Sequence, residues 1–171
     1  MIEQLKADSI ASEIESLSEL LHACVHAGAG ISFILPFSLD DARQFWFEKV
    51  NPGVRAGSRK LLVARKDGVI VGSVQLDLAT PPNQQHRAEV AKLLVHPNAR
   101  RQGIARSLML AIEDVARAEG RSLITFDTRT GDASEPLYLS MGYTRAGVIP
   151  RYARDAHSAR LDATSIFYKE L

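Results

Sequence analysis

The stretch from Arg87 to Val115 constrains the fold more than any other part of the chain. Arg87–Val95 reads as a strand, and its last part, Leu93-Leu94-Val95, is apolar on both faces, as in the middle of a sheet. His96-Pro97 ends it, because proline cannot continue a hydrogen-bonded ladder. Only a short turn then separates this strand from Ile104, Leu108, Ala111/Ile112 and Val115, the apolar stripe of a long helix that stops at Gly120. Ser122–Asp127 is the next buried strand. A strand, a helix and a strand in direct succession imply a parallel pair inside the sheet.

Hairpin signals surround that unit, so the sheet is expected to be mixed. Leu61–Arg65 reads as a strand, Lys66-Asp67-Gly68 as a tight turn, and Ile70–Ala79 as a half-buried strand with Ile70, Val74, Leu76 and Leu78 on one face. Thr80–Gln85 is a polar loop. Ser134–Met141 has Pro136 in the first turn of a short helix and Gly142 past its end. Tyr143–Ile149 and Thr164–Lys169 complete the strands, with the polar segment Arg151–Arg160 between them read as a loop. At the N-terminal side, Ile10, Ile14, Leu17, Leu21 and Cys24/Val25 predict a helix over residues 8–27 that ends at Gly28. Ser38 and Asp41 form a capping box for a second helix that runs to about Val50 and stops at Asn51-Pro52-Gly53. At 171 residues the chain is read as one α/β (α+β) domain spanning 1–171.

The turn between strand and helix carries the chemistry. The first N–H groups of a helix have no partner inside it, and the helix dipole adds partial positive charge there. Gly103 lets the backbone approach a ligand closely, Ala105 is small, and Arg100, Arg101 and Arg106 surround the point with cations. These features suit a pyrophosphate; an arginine-rich helix start that only aids solubility is the plainer alternative. The turn lacks the Gly-Lys-Ser/Thr of a Walker A loop and the first Gly-x-Gly of a dinucleotide fingerprint.

Composition excludes several other classes. The net charge of +1 gives no bulk attraction to duplex DNA or to an anionic membrane, so neither nucleic acid nor membrane is expected as a partner. Leu20–Leu39 carries no Asp, Glu, Lys or Arg, but Gly28, Gly30 and Pro36 interrupt any helix that would span a bilayer there. Met1–Asp8 lacks the basic run of a signal peptide. The single cysteine, Cys24, fits a reducing compartment, so a cytoplasmic protein is expected. His22 and His26 have metal-ligand spacing with no obvious third ligand, and no metal is expected. Monomer and homodimer both stay open.

Arg100-x-x-Gly103-x-Ala105 resembles the acetyl-CoA signature of the GNAT superfamily of N-acetyltransferases, and the order of elements is similar across nearly the whole chain. That resemblance implies a mixed, mostly antiparallel sheet of about seven strands flanked by about four helices, with acetyl-CoA as cosubstrate. Within the superfamily, Arg87-Ala-Glu-Val90, Lys92-Leu93, Phe126-Asp127-Thr128, Tyr143-Thr-Arg145 and Ala163–Lys169 resemble the tabtoxin-resistance branch. This implies acetylation of an amine on a small β-lactam toxin, in a self-protection or antibiotic-resistance role. Another amine (an aminoglycoside, a protein N-terminus) and a non-catalytic CoA-sensing module are the alternatives.

The resemblance also implies site residues. Leu93, Leu94 and Val95 would lie along the pantetheine arm, with a backbone N–H there, that of Leu94, donating to the developing oxyanion. Arg100, Arg101, Gln102, Gly103, Ile104, Ala105 and Arg106 would cradle the pyrophosphate. Glu89 and Asp127 are the candidate bases for an ammonium acceptor. Glu89 also reads as a surface carboxylate paired with Arg87 or Lys92, and Asp127 as a cap for the following turn. Tyr138 is the candidate acid for the departing thiolate, with a core tyrosine as the alternative. Cys24 lies on the apolar stripe of its helix and is not expected to carry an acyl group. Direct attack in a ternary complex is the implied mechanism.

Overall fold

The computed structural model describes residues 1–171. Seven strands form one sheet in the order β1-β2-β3-β4-β5-β7-β6. They are β1 (Ile2–Leu5), β2 (Arg59–Lys66), β3 (Val69–Asp77), β4 (Arg87–Val95), β5 (Leu123–Arg129), β6 (Thr144–Arg154) and β7 (Leu161–Glu170). Every neighbouring pair is antiparallel except β4 and β5, which run parallel. The expected mixed, mostly antiparallel sheet is therefore observed.

Helices cover both faces. One face carries α1 (Ala7–Ser12), α2 (Ile14–His26), α3 (Leu39–Gln44), a π-helical turn over Phe45–Val50, and α4 (Asn51–Arg55). The other carries α5 (Ile104–Ala118) and α6 (Glu135–Ser140). Two cores follow from the two-residue alternation of strands. Leu61 and Val63 of β2 join Leu17, Leu21 and Trp46 on the α2 face, while Leu62 and Ala64 join Leu108 and Ile112 on the α5 face. Trp46 is fully buried and donates its indole N–H to the Leu17 carbonyl (2.9 Å), which ties the π turn to α2.

Several boundaries differ from the sequence reading, each for a physical reason. The helix expected over 8–27 is two pieces broken at Glu13. The second helix continues past Val50, because Pro52 falls in the first turn of α4, where no amide hydrogen is needed. β3 is buried on both faces along Gly72–Leu76, since it has helices above and below, so a half-buried alternation does not describe it. β6 reaches Arg154, so the polar loop after it is shorter than the sequence suggests. β1 was not among the strands read; it has four residues, and only Leu5 is buried.

Candidate active site

β4 and β5 are partners only at Arg87–Leu123, Ala88–Ile124 and Glu89–Thr125. Past that point each is held on its outer side, β4 by β3 and β5 by β7, and the two diverge into an open gap. Just beyond the last pair, β4 bulges. Lys92 has φ +51, and Lys92 and Leu93 together face Val74, so the ladder shifts between Ala91 and Leu94. A bulge of this kind bends and twists the strand that contains it. It also swaps the faces: Ala88 and Val90 point to the α5 core, yet Leu94 points to the α2 core.

The ladder phase decides which amides face the gap. His96 donates its N–H to the Val71 carbonyl (2.9 Å). Alternation then makes Ser73 and Leu94 a hydrogen-bonded pair and turns Leu93 and Val95 toward the open side. The Val95 carbonyl indeed accepts from Cys24 Sγ and Arg100 Nε rather than from β3. The oxyanion donor expected at Leu94 is thus occupied within the sheet, and Leu93 and Val95 present the free amides.

At the end of the gap stands the arginine-rich turn. Arg101 (φ +62) and Gly103 (φ +79) both lie in the left-handed region, and Gly103 caps α5. The main-chain N–H groups from Arg101 to Arg106 donate to no other group of the chain. A Cβ on Gly103 would meet nothing within 4 Å, so glycine is required there by its dihedral angles rather than by crowding. Gly72 is the opposite case. A Cβ on it would lie 3.0 Å from both Ile104 Cγ2 and the Leu94 carbonyl, so glycine lets the start of α5 press against β3. Arg100, Arg101 and Arg106 make no ion pair with any carboxylate; Arg106 instead donates to Ser140 Oγ (2.6 Å) and joins α5 to α6. Gln102 accepts from Lys66 Nζ (3.0 Å). Unpaired amides, a helix N-terminus and free guanidinium groups together fit the diphosphate of a nucleotide-like carrier.

The two faces of the gap carry different groups. On the α2 face, a pocket of about 150 Å³ is walled by Gly30–Phe33, Asp127, Arg129, Tyr152–Ala156 and Asp162–Thr164. Thr164 donates its hydroxyl to Asp127 Oδ2 (2.7 Å). Glu89 stands where the strands part, its half-exposed carboxylate 3.5 Å from Arg87 Nη1. On the α5 face, the Tyr138 ring packs on Phe126 (4.6 Å between centroids) and Phe167 (5.6 Å). Its hydroxyl faces Ser134, and burial pushes its pKa up to about 12. The phenol is therefore a core side chain held in its protonated form.

Other sequence candidates fall elsewhere. Cys24 is buried, and burial pushes its thiol up to about 11, which removes the thiolate an acyl carrier would need. His22 and His26 stack on each other with ring centroids 4.0 Å apart, and neither lines the pocket. No group of three or more His, Cys, Asp or Glu side chains is placed so that it could hold a metal ion. Arg160 is engaged by Asp155 and Asp162, and Arg154 donates to the Ser158 carbonyl. Lys92 was not among the candidate site residues, although a lone cation within the apolar run Val90–Val95 was a visible signal.

The acetyltransferase (GNAT) family model matches residues 18–143. The chain is 32% identical over 127 residues to an uncharacterized N-acetyltransferase encoded in the hisH-hisA intergenic region of Azospirillum brasilense, covering 72% of this chain and 73% of that one. Among solved structures it is similar to a ribosomal-protein-alanine N-acetyltransferase from Brucella melitensis (TM-score 0.81, 22% identity, 100% of this chain and 99% of that one). It is likewise similar to the Salmonella typhimurium protein yncA, solved with its cofactor acetyl-CoA (TM-score 0.79, 18% identity, 100% of this chain and 93% of that one).

Proposed function

Because the chain belongs to the acetyltransferase (GNAT) family, we propose that it transfers acetyl from acetyl-CoA to a primary amine of a small molecule by direct attack within the β4–β5 gap. The observation that carries this reading is the continuity of the gap with the turn at Arg101–Arg106, whose amides have no partner in the chain.

Acetyl-CoA supplies an activated thioester. The Arg101–Arg106 amides and the three unpaired arginines hold its diphosphate, and Val95 pairs with the pantetheine arm as an additional strand would. The Leu93 N–H donates to the carbonyl oxygen as negative charge grows there. Asp127, fixed by Thr164, holds the acceptor ammonium in the pocket. Glu89, half-exposed at the fork, takes the proton and passes it to water, so that the nitrogen lone pair is free to attack. As the C–N bond forms and the C–S bond breaks, Tyr138 donates its proton to the leaving sulfur, and the second proton shed by the nitrogen returns to the Tyr138 oxygen through water. Holding the two reactants in one gap supplies most of the rate; acid–base help adds about 10²–10⁴-fold.

The stretches that resemble the tabtoxin-resistance branch make a β-lactam-bearing toxin the first acceptor to try, with a resistance role. Dependence on acetyl-CoA and the unpaired Cys24 support a cytoplasmic location. No helix is long and apolar enough to cross a membrane. The test is thiol release from acetyl-CoA across a panel of amines. Turnover of at least one amine supports the enzyme reading, and binding of acetyl-CoA with no turnover on any amine supports a CoA-sensing module instead.

A further inference from the structure

The cations around the acceptor pocket are not equivalent. Arg129 is surrounded by Asp132, Asp155 and Asp162, at 3.3, 3.8 and 3.9 Å. Lys92 differs from it in every respect that matters. It lies on the bulge of β4 in the left-handed region, a conformation that disfavours a side-chain residue and is retained where the surrounding structure enforces it. Its ammonium reaches Ser32 Oγ (3.3 Å) and sits 5.6 Å from the centre of the Phe33 ring; both residues wall the pocket. Lys92 is partly buried, yet it forms no ion pair with any carboxylate of the chain. Burial lowers its pKa, and the nearby Asp127 charge opposes that shift. Even partial burial of a cation is unfavourable without an anion beside it, and a ligand carboxylate would supply one.

Resting on the acetyltransferase reading, we propose that Lys92 is the acceptor's carboxylate-binding residue, so that the substrate class is a small zwitterion with an amine and a carboxylate close together, of the amino-acid type. Asp127 of β5 lines the pocket and Lys92 of β4 contacts two of its wall residues, Ser32 and Phe33, so opposite charges stand at the edge of the same pocket. An amino acid would place its carboxylate on Lys92 and its ammonium on Asp127, which orients the nitrogen toward the gap. The arginines between Arg151 and Arg160, the other carboxylate-binding candidates in this region, are exposed or already paired within their own turn.

The experiment compares free amino acids, their methyl esters, the matching decarboxylated amines and short peptides as acceptors, for the wild type and for Lys92→Met and Lys92→Arg. The expected result is that the best free amino acid exceeds its own ester and its decarboxylated amine at least tenfold in kcat/KM, mainly through KM. Lys92→Met brings that ratio to about one, and Lys92→Arg restores part of it. The inference is overturned if no free amino acid is turned over, if acids are no better than esters or peptides, or if Lys92→Met lowers all acceptors alike. Calorimetry with acetyl-CoA alone separates the two levels: failure of acetyl-CoA to bind removes the acetyltransferase reading itself, whereas binding with no preference for acids removes only the role of Lys92.

Discussion

Glu89 and Thr125 are the last residues at which β4 and β5 face each other in register, and the gap beyond them places the proposed chemistry. Glu89 stands at the fork and Asp127 lies two residues beyond Thr125 on the same face, and the proposed mechanism gives the two carboxylates separate tasks. Glu89→Gln is expected to lower kcat about 10²-fold, with little change in acceptor KM. Asp127→Asn is expected to raise acceptor KM at least tenfold, with a smaller effect on kcat. Steady-state kinetics at saturating acetyl-CoA checks both, and the reverse pattern would exchange the assignments.

Tyr138→Phe keeps the ring that packs on Phe126 and Phe167 and removes only the hydroxyl. Turnover is expected to fall roughly 10²-fold, with the affinity for acetyl-CoA nearly unchanged. Because burial raises this phenol to about 12, above the usual value of about 10, the donor stays protonated across the neutral range. The wild-type pH–rate profile should therefore show no descending limb from this group below about pH 11. The sign for stability is the same: the protonated form is favoured by folding, so the contribution is complete below the unfolded value and is lost as pH rises toward 12. Unchanged turnover in Tyr138→Phe would remove it from the acid role.

Gly103→Val asks a β-branched residue to hold φ +79, at a cost of roughly 1–2 kcal/mol. The turn relieves that strain by leaving the left-handed region, which breaks up the array of free amides. Calorimetric affinity for CoA is expected to weaken about tenfold, the equivalent of ~1.4 kcal/mol. The open space around Gly103 excludes a clash as the cause. Unaltered affinity would separate the turn from the carrier.

Away from the site, Lys169 Nζ contacts both oxygens of Glu113 (2.9 and 2.8 Å), and the Glu113 side chain is only 3% exposed. Lys169→Met leaves that carboxylate buried without its main partner, at a cost of about 3 kcal/mol. Combining it with Glu113→Leu should recover most of the loss, because no buried charge remains. Denaturant unfolding of Lys169→Met and of the double variant checks this; Lys169→Met within about 0.5 kcal/mol of wild type would contradict it.

Local signals were legible wherever a residue's own chemistry dictates backbone geometry. Ser38 and Asp41 form the expected reciprocal cap, with Ser38 N–H to Asp41 Oδ2 at 2.7 Å and Asp41 N–H to Ser38 Oγ at 3.1 Å. Asp67 and Gly68 both take positive φ in the β2–β3 turn, as the Asp-Gly pair suggests. What stayed hidden depends on the tertiary fold. The bulge at Lys92 has no glycine to announce it, and it reverses the face of every residue that follows in β4. The resemblance put Leu93, Leu94 and Val95 along the carrier with the oxyanion donor at Leu94, and only the ladder phase turns the amides of Leu93 and Val95 to the gap instead. Lys92 shows in the sequence only as a lone cation in an apolar run; its contacts with Ser32 and Phe33 come from the tertiary fold.

The central claim is that the amides from Arg101 to Arg106, continued by Val95 and Leu93, grip an acyl carrier. Its most direct measurement is a titration of acetyl-CoA into isotopically labelled protein, followed by the backbone amide resonances. The account predicts saturable binding with the largest shifts at Arg101–Arg106, Leu93 and Val95, while Leu94, held by β3, moves least along that segment. Saturable binding with the largest shifts elsewhere, or no binding at all, would contradict it.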